Sequence, residues 1–158
     1  MKTSYEQQER LKFLMRVVKK EVRHLEYAAG QVFDGDLNYE AVTQLDATPE
    51  LAMRVEAFSS RFCRLQDTLG DKFLPALLKA LGEPDRALLI NLEKAEKYGW
   101  LDSSEDWITL RQLRNQMIHE YIENPRVLFD ALTAAYANMS ILQNMANSLE
   151  VQANKVLK

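Results

Sequence analysis

The stretch TPELAMRVEAFSSRFCRLQDTL, residues 48–69, decides the fold. Thr48-Pro49-Glu50 supplies an N-cap, a proline at the first helical position and an acid in the first turn. Leu51, Val55, Phe58, Phe62, Leu65 and Leu69 then recur by fours and threes, which gathers them on one stripe of an α-helix. Such a stripe has to be covered, and the flanking sequence offers more helices to cover it. Upstream, residues 5–29 carry Leu11, Leu14, Met15, Val18, Val22 and Leu25 at the same spacing, with Thr3-x-x-Glu6 as a capping box and Gly30 as the stop. Between the two, QVFDGDLNYEAVTQLDA (31–47) has no sustained period and is rich in Asp, Asn and Gly, which predicts a long loop holding at most one short turn.

Downstream, Gly70-Asp71 is expected to interrupt the helix, with a shorter one over 72–81 that tolerates Pro75 in its first turn and ends at Gly82. Pro84-Asp85 is expected to start another helix, running to about Tyr98 and stopped by Gly99. Ser103 or Ser104 caps a helix from Glu105 to about Glu123. Asn124-Pro125 ends that one and begins the last, to about Ala153, with Leu128, Leu132, Ala135, Met139, Leu142, Ala146 and Leu149 as its buried side. No strand pattern occurs. The expected fold is all-α: one domain over residues 1–158, a mostly antiparallel four-helix bundle with one or two short extra helices.

Composition narrows the function classes. A chain of 158 residues, 47% hydrophobic with five Gly and four Pro, suits one helix-rich core. A net charge of -3 argues against a general polyphosphate binder and confines any nucleic-acid contact to a local patch. The single cysteine, Cys63, allows no intrachain disulfide and reads as a small buried hydrophobe in a reducing compartment. The opening MKTSYEQQERLKF lacks the apolar run of a signal peptide, and no long apolar stretch follows. The expectation is a soluble, cytoplasmic protein without membrane contact.

One octet carries chemistry: Arg114-Asn115-Gln116-Met117-Ile118-His119-Glu120-Tyr121. A guanidinium and an imidazole are what phosphodiester cleavage needs without a metal, since the cation stabilises charge on phosphate and the imidazole moves protons. At about 100° per residue, Trp107, Leu110, Leu113, Met117 and Tyr121 face the core. Ile118, Arg111, Ile122, Asn115, Ile108, His119 and Gln112 form a second side, leaving only Thr109, Gln116 and Glu120 as a wet strip. Such a helix is either the central one of its own bundle or is covered by a second copy of the chain. Asn115 lies one turn before His119, whereas Arg114 lies about 140° round the helix from it. Arg114 therefore either serves the site or forms a buried ion pair with an acid such as Asp67 or Glu56.

Arg-Asn-x3-His-x-Tyr near the end of a bundle helix resembles the HEPN superfamily, and in particular the HepT toxins of bacterial toxin–antitoxin pairs. The likeness covers the octet closely and the helical layout loosely; the N-terminal helix and residues 31–47 carry no matching motif. The resemblance implies a metal-independent endoribonuclease assembled across a homodimer, with Arg114 and His119 as the catalytic pair and Asn115 in support. It also implies that a nucleotidyltransferase antitoxin adenylylates Tyr121 and so blocks the site. Attack by the RNA 2′-hydroxyl then leaves a 2′,3′-cyclic phosphate and a 5′-hydroxyl, with no cofactor. The same bundle could instead be a non-catalytic substrate-binding or regulatory subunit of a minimal nucleotidyltransferase, or a plain helical adaptor.

Lys12, Arg16, Lys19, Lys20 and Arg23 stack along one face of the first helix, either as a solvated face or as an RNA contact. DNA is not expected as a partner. Arg61 and Arg64, one turn apart, either line a groove or pair with helix acids such as Asp67. His24 reads as a surface or capping residue. Two distant histidines and one cysteine make no metal-ligand set.

Overall fold

The computed structural model describes residues 3–35, 37–84, 86–119 and 123–158, and all its regular elements are helical. They are α1 (Tyr5–Phe33), α2 (Tyr39–Thr43), a 3-10 turn (Leu45–Ala47), α3 (Pro49–Asp67), a π-helical turn (Thr68–Phe73), α4 (Leu74–Ala80), α5 (Leu88–Lys97), α6 (Ser104–Ile118), α7 (Pro125–Ala137) and α8 (Met139–Leu157). The fold is an all-α bundle with short extra helices, as the periodicity predicts. No helix is long and apolar enough to cross a membrane among the described residues.

The stripe of α3 is the axis of the core: Val55, Phe58, Phe62, Leu65 and Leu69 are fully buried, and only Leu51, at the helix's exposed start, is partly so. α1 packs most extensively against it, presenting Leu11, Leu14, Val18 and Leu25. Leu128, Leu132, Ala135, Leu142, Ala146 and Leu149 of α7 and α8 are buried as expected, and Met139 is half-buried.

Several boundaries differ from the sequence expectation, each for a definite physical reason. Ser4 and Gln7 form the capping box of α1 in place of Thr3 and Glu6, and Thr3 donates instead to the Ala80 carbonyl. Gly30 does not stop α1: burial of Val32 beyond it favours another turn, and Phe33 stacks on Tyr136. The predicted 31–47 loop is largely helical, because Asn38 caps α2 and Val42 and Leu45 are anchored in the core. Thr48 gives no side-chain cap to α3; its hydroxyl donates to the Gln44 carbonyl at 2.6 Å.

Gly70-Asp71 does not break the chain, which continues through a wider π turn. A Cβ on Gly70 would lie 3.3 Å from both Leu88 Cδ1 and Trp107 Nε1, so the missing side chain admits α6 close to the backbone. α5 begins at Leu88 rather than at Pro84; Asp85 lies outside the described residues. Gly82 and Gly99 adopt φ near +80°, the left-handed geometry of helix stops. The last helix divides at Asn138, whose amide donates to the Ala134 carbonyl and ends α7.

Candidate functional site

α6 begins with Ser103, whose hydroxyl accepts from the Asp106 backbone N–H, and is tied to α3 at its centre. Gln66, buried on α3, donates through Nε2 to the Trp107 carbonyl at 2.9 Å. Above this clamp two ion pairs run side by side. Arg114 donates to Asp67 at 2.5 Å, and Arg111 stands 3.9 Å from Asp71. Both pairs join residues one turn apart on α6 to residues one turn apart on the α3 side, so they act as two rungs of one ladder.

The ladder lies along a cleft of about 690 Å³ between α3, the π turn and α6. Ser59, Ser60, Cys63 and Asp67 form the α3 wall, Thr68, Asp71 and Lys72 come from the π turn, and Arg114, Met117 and Ile118 form the α6 wall. Cys63 is buried, as its sequence context predicts, and burial pushes its thiol pKa up despite the nearby Arg114 cation. The hydrogen bond to Asp67 raises the pKa of Arg114, so the guanidinium is a permanent cation of the cleft. Ser59 Oγ is buried and has no hydrogen-bond partner among the described residues.

The octet is thus split. Arg114 enters the cleft, half-buried and paired with the acid foreseen as its structural partner, Asp67 rather than Glu56. Asn115 and His119 are exposed and lie outside the cleft lining. His119 closes α6: its backbone N–H donates to the Asn115 carbonyl at 2.8 Å. Among the described residues its ring makes no hydrogen bond to Arg114 or Asn115. Helix α6 therefore ends at Ile118, short of the expected Glu123; Glu120, Tyr121 and Ile122 lie outside the described residues, including the expected modification site.

On α6, Trp107, Leu110 and Met117 are buried and Leu113 is half-buried, as expected of the core side. On the second side, Ile118 is 46% exposed, and Gln112, Asn115 and His119 are exposed. Ile108 and Arg111 on the same side are half-buried, Ile108 against the core, so this side is covered in part by the chain itself.

Lys12, Arg16, Lys19, Lys20 and Arg23 all lie on the exposed face of α1. Lys19 reaches Glu150 of α8 at 3.4 Å, while Arg10 and Arg16 flank the half-exposed Phe13 ring at 5.7 and 6.0 Å. Arg61 and Arg64 do not pair with Asp67, which Arg114 occupies. Arg61 donates to the His24 carbonyl at 2.9 Å, and Arg64 to Ser60 Oγ. His24 is exposed, as expected. No group of three or more metal-ligating side chains occurs among the described residues.

Sequence reasoning missed Asp71, Lys72 and Ser59 as cleft residues. The i, i+4 spacing of Asp67 and Asp71 against the i, i+3 spacing of Arg111 and Arg114 was the available signal. No protein-family model, curated protein or solved structure matches the chain.

Proposed function

We propose that the chain is a HEPN-type, metal-independent endoribonuclease of the HepT kind, acting as the toxin of a toxin–antitoxin pair. The observation that supports it most is the placement of Arg114 and His119, a fixed guanidinium in a cleft and an exposed imidazole at the end of the same helix. RNA carries its own nucleophile. The 2′-hydroxyl attacks the adjacent phosphorus, its proton goes to one His119, and the 5′-oxygen leaves with a proton from a second imidazole. The bond formed is 2′-O–P and the bond broken is P–5′-O, leaving a 2′,3′-cyclic phosphate.

An imidazole can both accept and donate a proton, which suits it to either transfer. Each chain supplies one histidine here, so a two-fold pairing over the exposed Asn115, Ile118 and His119 supplies the second. Arg114 stabilises the charge that builds on the phosphate oxygens, and to do so it must share its donors between Asp67 and the substrate. Adenylylation of Tyr121, two residues after His119 in the sequence, by a nucleotidyltransferase partner would add bulk and negative charge and oppose the substrate phosphate.

The Arg114–Asp67 pair also favours a second reading, in which the guanidinium is structural and the chain is a non-catalytic binding or regulatory subunit of a nucleotidyltransferase. Expression in a bacterium separates the two. The ribonuclease reading expects wild type to arrest growth and His119→Ala to relieve it. Identical growth of both is the result that favours the binding subunit.

A further inference from the structure

We infer that the cleft between α3 and α6 is a nucleobase subsite, holding an unpaired base of the RNA next to the phosphate that Arg114 contacts. The inference rests on the ribonuclease reading for the identity of the polymer. The chemistry of the cleft stands by itself. Its volume of about 690 Å³ falls within the usual range of small-molecule pockets.

The charges lining the cleft cancel. Glu56, Asp67 and Asp71 face Arg64, Lys72 and Arg114, three acids against three cations, so the interior does not select a polyanion. Two of the acids are already engaged, Asp67 by Arg114 and Asp71 by Arg111. Between these charged groups lies an apolar surface of Cys63, Met117 and Ile118, suited to the face of a neutral ring. Ser59, Ser60 and Thr68 add hydroxyls to the lining. Ser59 is 3% exposed and its Oγ has no partner, which is a costly state for a buried hydroxyl. A heteroaromatic ring with donors and acceptors on its edge meets both demands, stacking on the apolar wall and pairing with Ser59 Oγ once that hydroxyl, shut off from solvent as it stands, rotates toward the cleft.

A phosphate alone meets neither. It would instead seek the cations at the rim, where Arg114 is about one-third exposed. Base inside and phosphate at Arg114 is the arrangement of a single-stranded nucleotide, because a duplex would keep its base edges paired and its rings stacked. Ser59 is then a specificity-determining residue: a hydroxyl that both donates and accepts discriminates among bases by the edge each presents.

The test titrates adenosine, guanosine, cytidine and uridine separately into the full-length 15N-labelled chain, with inorganic phosphate as the comparison ligand. At least one nucleoside should shift the amide resonances of Ser59, Ser60, Cys63, Met117 and Ile118, while phosphate leaves Ser59 and Cys63 unmoved. Ser59→Ala should weaken that nucleoside about fivefold, the worth of one hydrogen bond. Ser60→Trp, at an exposed position on the cleft wall, should abolish the shifts without disturbing the fold.

The subsite is overturned if no nucleoside moves these resonances, if the shifts persist in Ser60→Trp, or if phosphate alone reproduces them. RNA cleavage is read in parallel with wild type and His119→Ala. His119-dependent cleavage without nucleoside binding overturns the subsite alone. Nucleoside binding without cleavage supports the subsite and removes the ribonuclease.

Discussion

Helix α3 and the end of α6 face each other across one cleft, yet their sequences answer to different demands. Along α3 every fourth or third side chain from Val55 to Leu65 is fully buried, and replacing any of them leaves a hole in the core. At the end of α6 only Met117 is buried, while Asn115, Ile118 and His119 stand in solvent. One wall is fixed by packing. The other displays polar groups that the fold of a single chain does not require, and a helix end of that kind is where recognition and chemistry can be placed without loss of stability.

The contrast can be broken from either side. The largest expected effect is functional: His119→Ala lowers RNA cleavage by about two to four orders of magnitude, the usual contribution of a general acid or base. Its melting temperature should match wild type, because the residue is exposed and has no side-chain partner among the described residues; a fall of several degrees would show that the helix end is structural after all. The counterpart is Phe62→Ala on α3, which should cost about 3–5 kcal/mol in denaturant unfolding. A loss below about 1 kcal/mol would mean that the α3 seam is not the core.

Next in size is the clamp between the walls. Gln66→Ala removes the buried bond to the Trp107 carbonyl and should cost about 1–3 kcal/mol, read as a lower urea midpoint. The Arg114–Asp67 pair, one-third exposed, should give less than about 1 kcal/mol in a double-mutant cycle.

A pH signature comes from Glu21 on α1, behind the π turn. Burial raises its carboxyl pKa, more than the Thr68 hydroxyl and the Arg64, Lys72 and His24 charges lower it. Between the ordinary carboxylate range and that raised value the folded state holds the proton more firmly than the unfolded chain does. Stability therefore falls as pH rises through this window. Glu21→Gln should raise the melting temperature at neutral pH, with the gain shrinking as pH drops below the ordinary carboxylate range; an equal gain at both ends would remove burial as the cause. The smallest effect belongs to α1. If its cationic face meets RNA, replacing Lys12 and Lys20 by Ala should each flatten the slope of log affinity against log salt by about 0.7.

The same contrast explains what could be read from the sequence. The α3 seam, the Gly99 stop and the Ser103 cap are local signals that burial does not override. The breaks expected at Gly30 and Gly70 fail because partners distant in sequence decide them. Val32 is held in the core, and Trp107 packs onto the bare Gly70 backbone. The division at Asn138 has the opposite origin, an amide that bonds back to its own helix within an unbroken apolar pattern. For the site, the octet and the Asp67 option were legible from spacing and charge. The cleft was not, since the unpaired Ser59 hydroxyl and the Arg111–Asp71 rung exist only once α3 and α6 are set side by side.

The central claim is that Arg114 and His119 cleave RNA without a metal. Its most direct measurement is incubation of the purified chain with single-stranded RNA in excess chelator, with the product ends identified. Wild type should yield 2′,3′-cyclic phosphate and 5′-hydroxyl ends, and His119→Ala and Arg114→Ala should leave the RNA intact. Intact RNA with wild type, cleavage only after magnesium is restored, or equal cleavage by wild type and His119→Ala would contradict it.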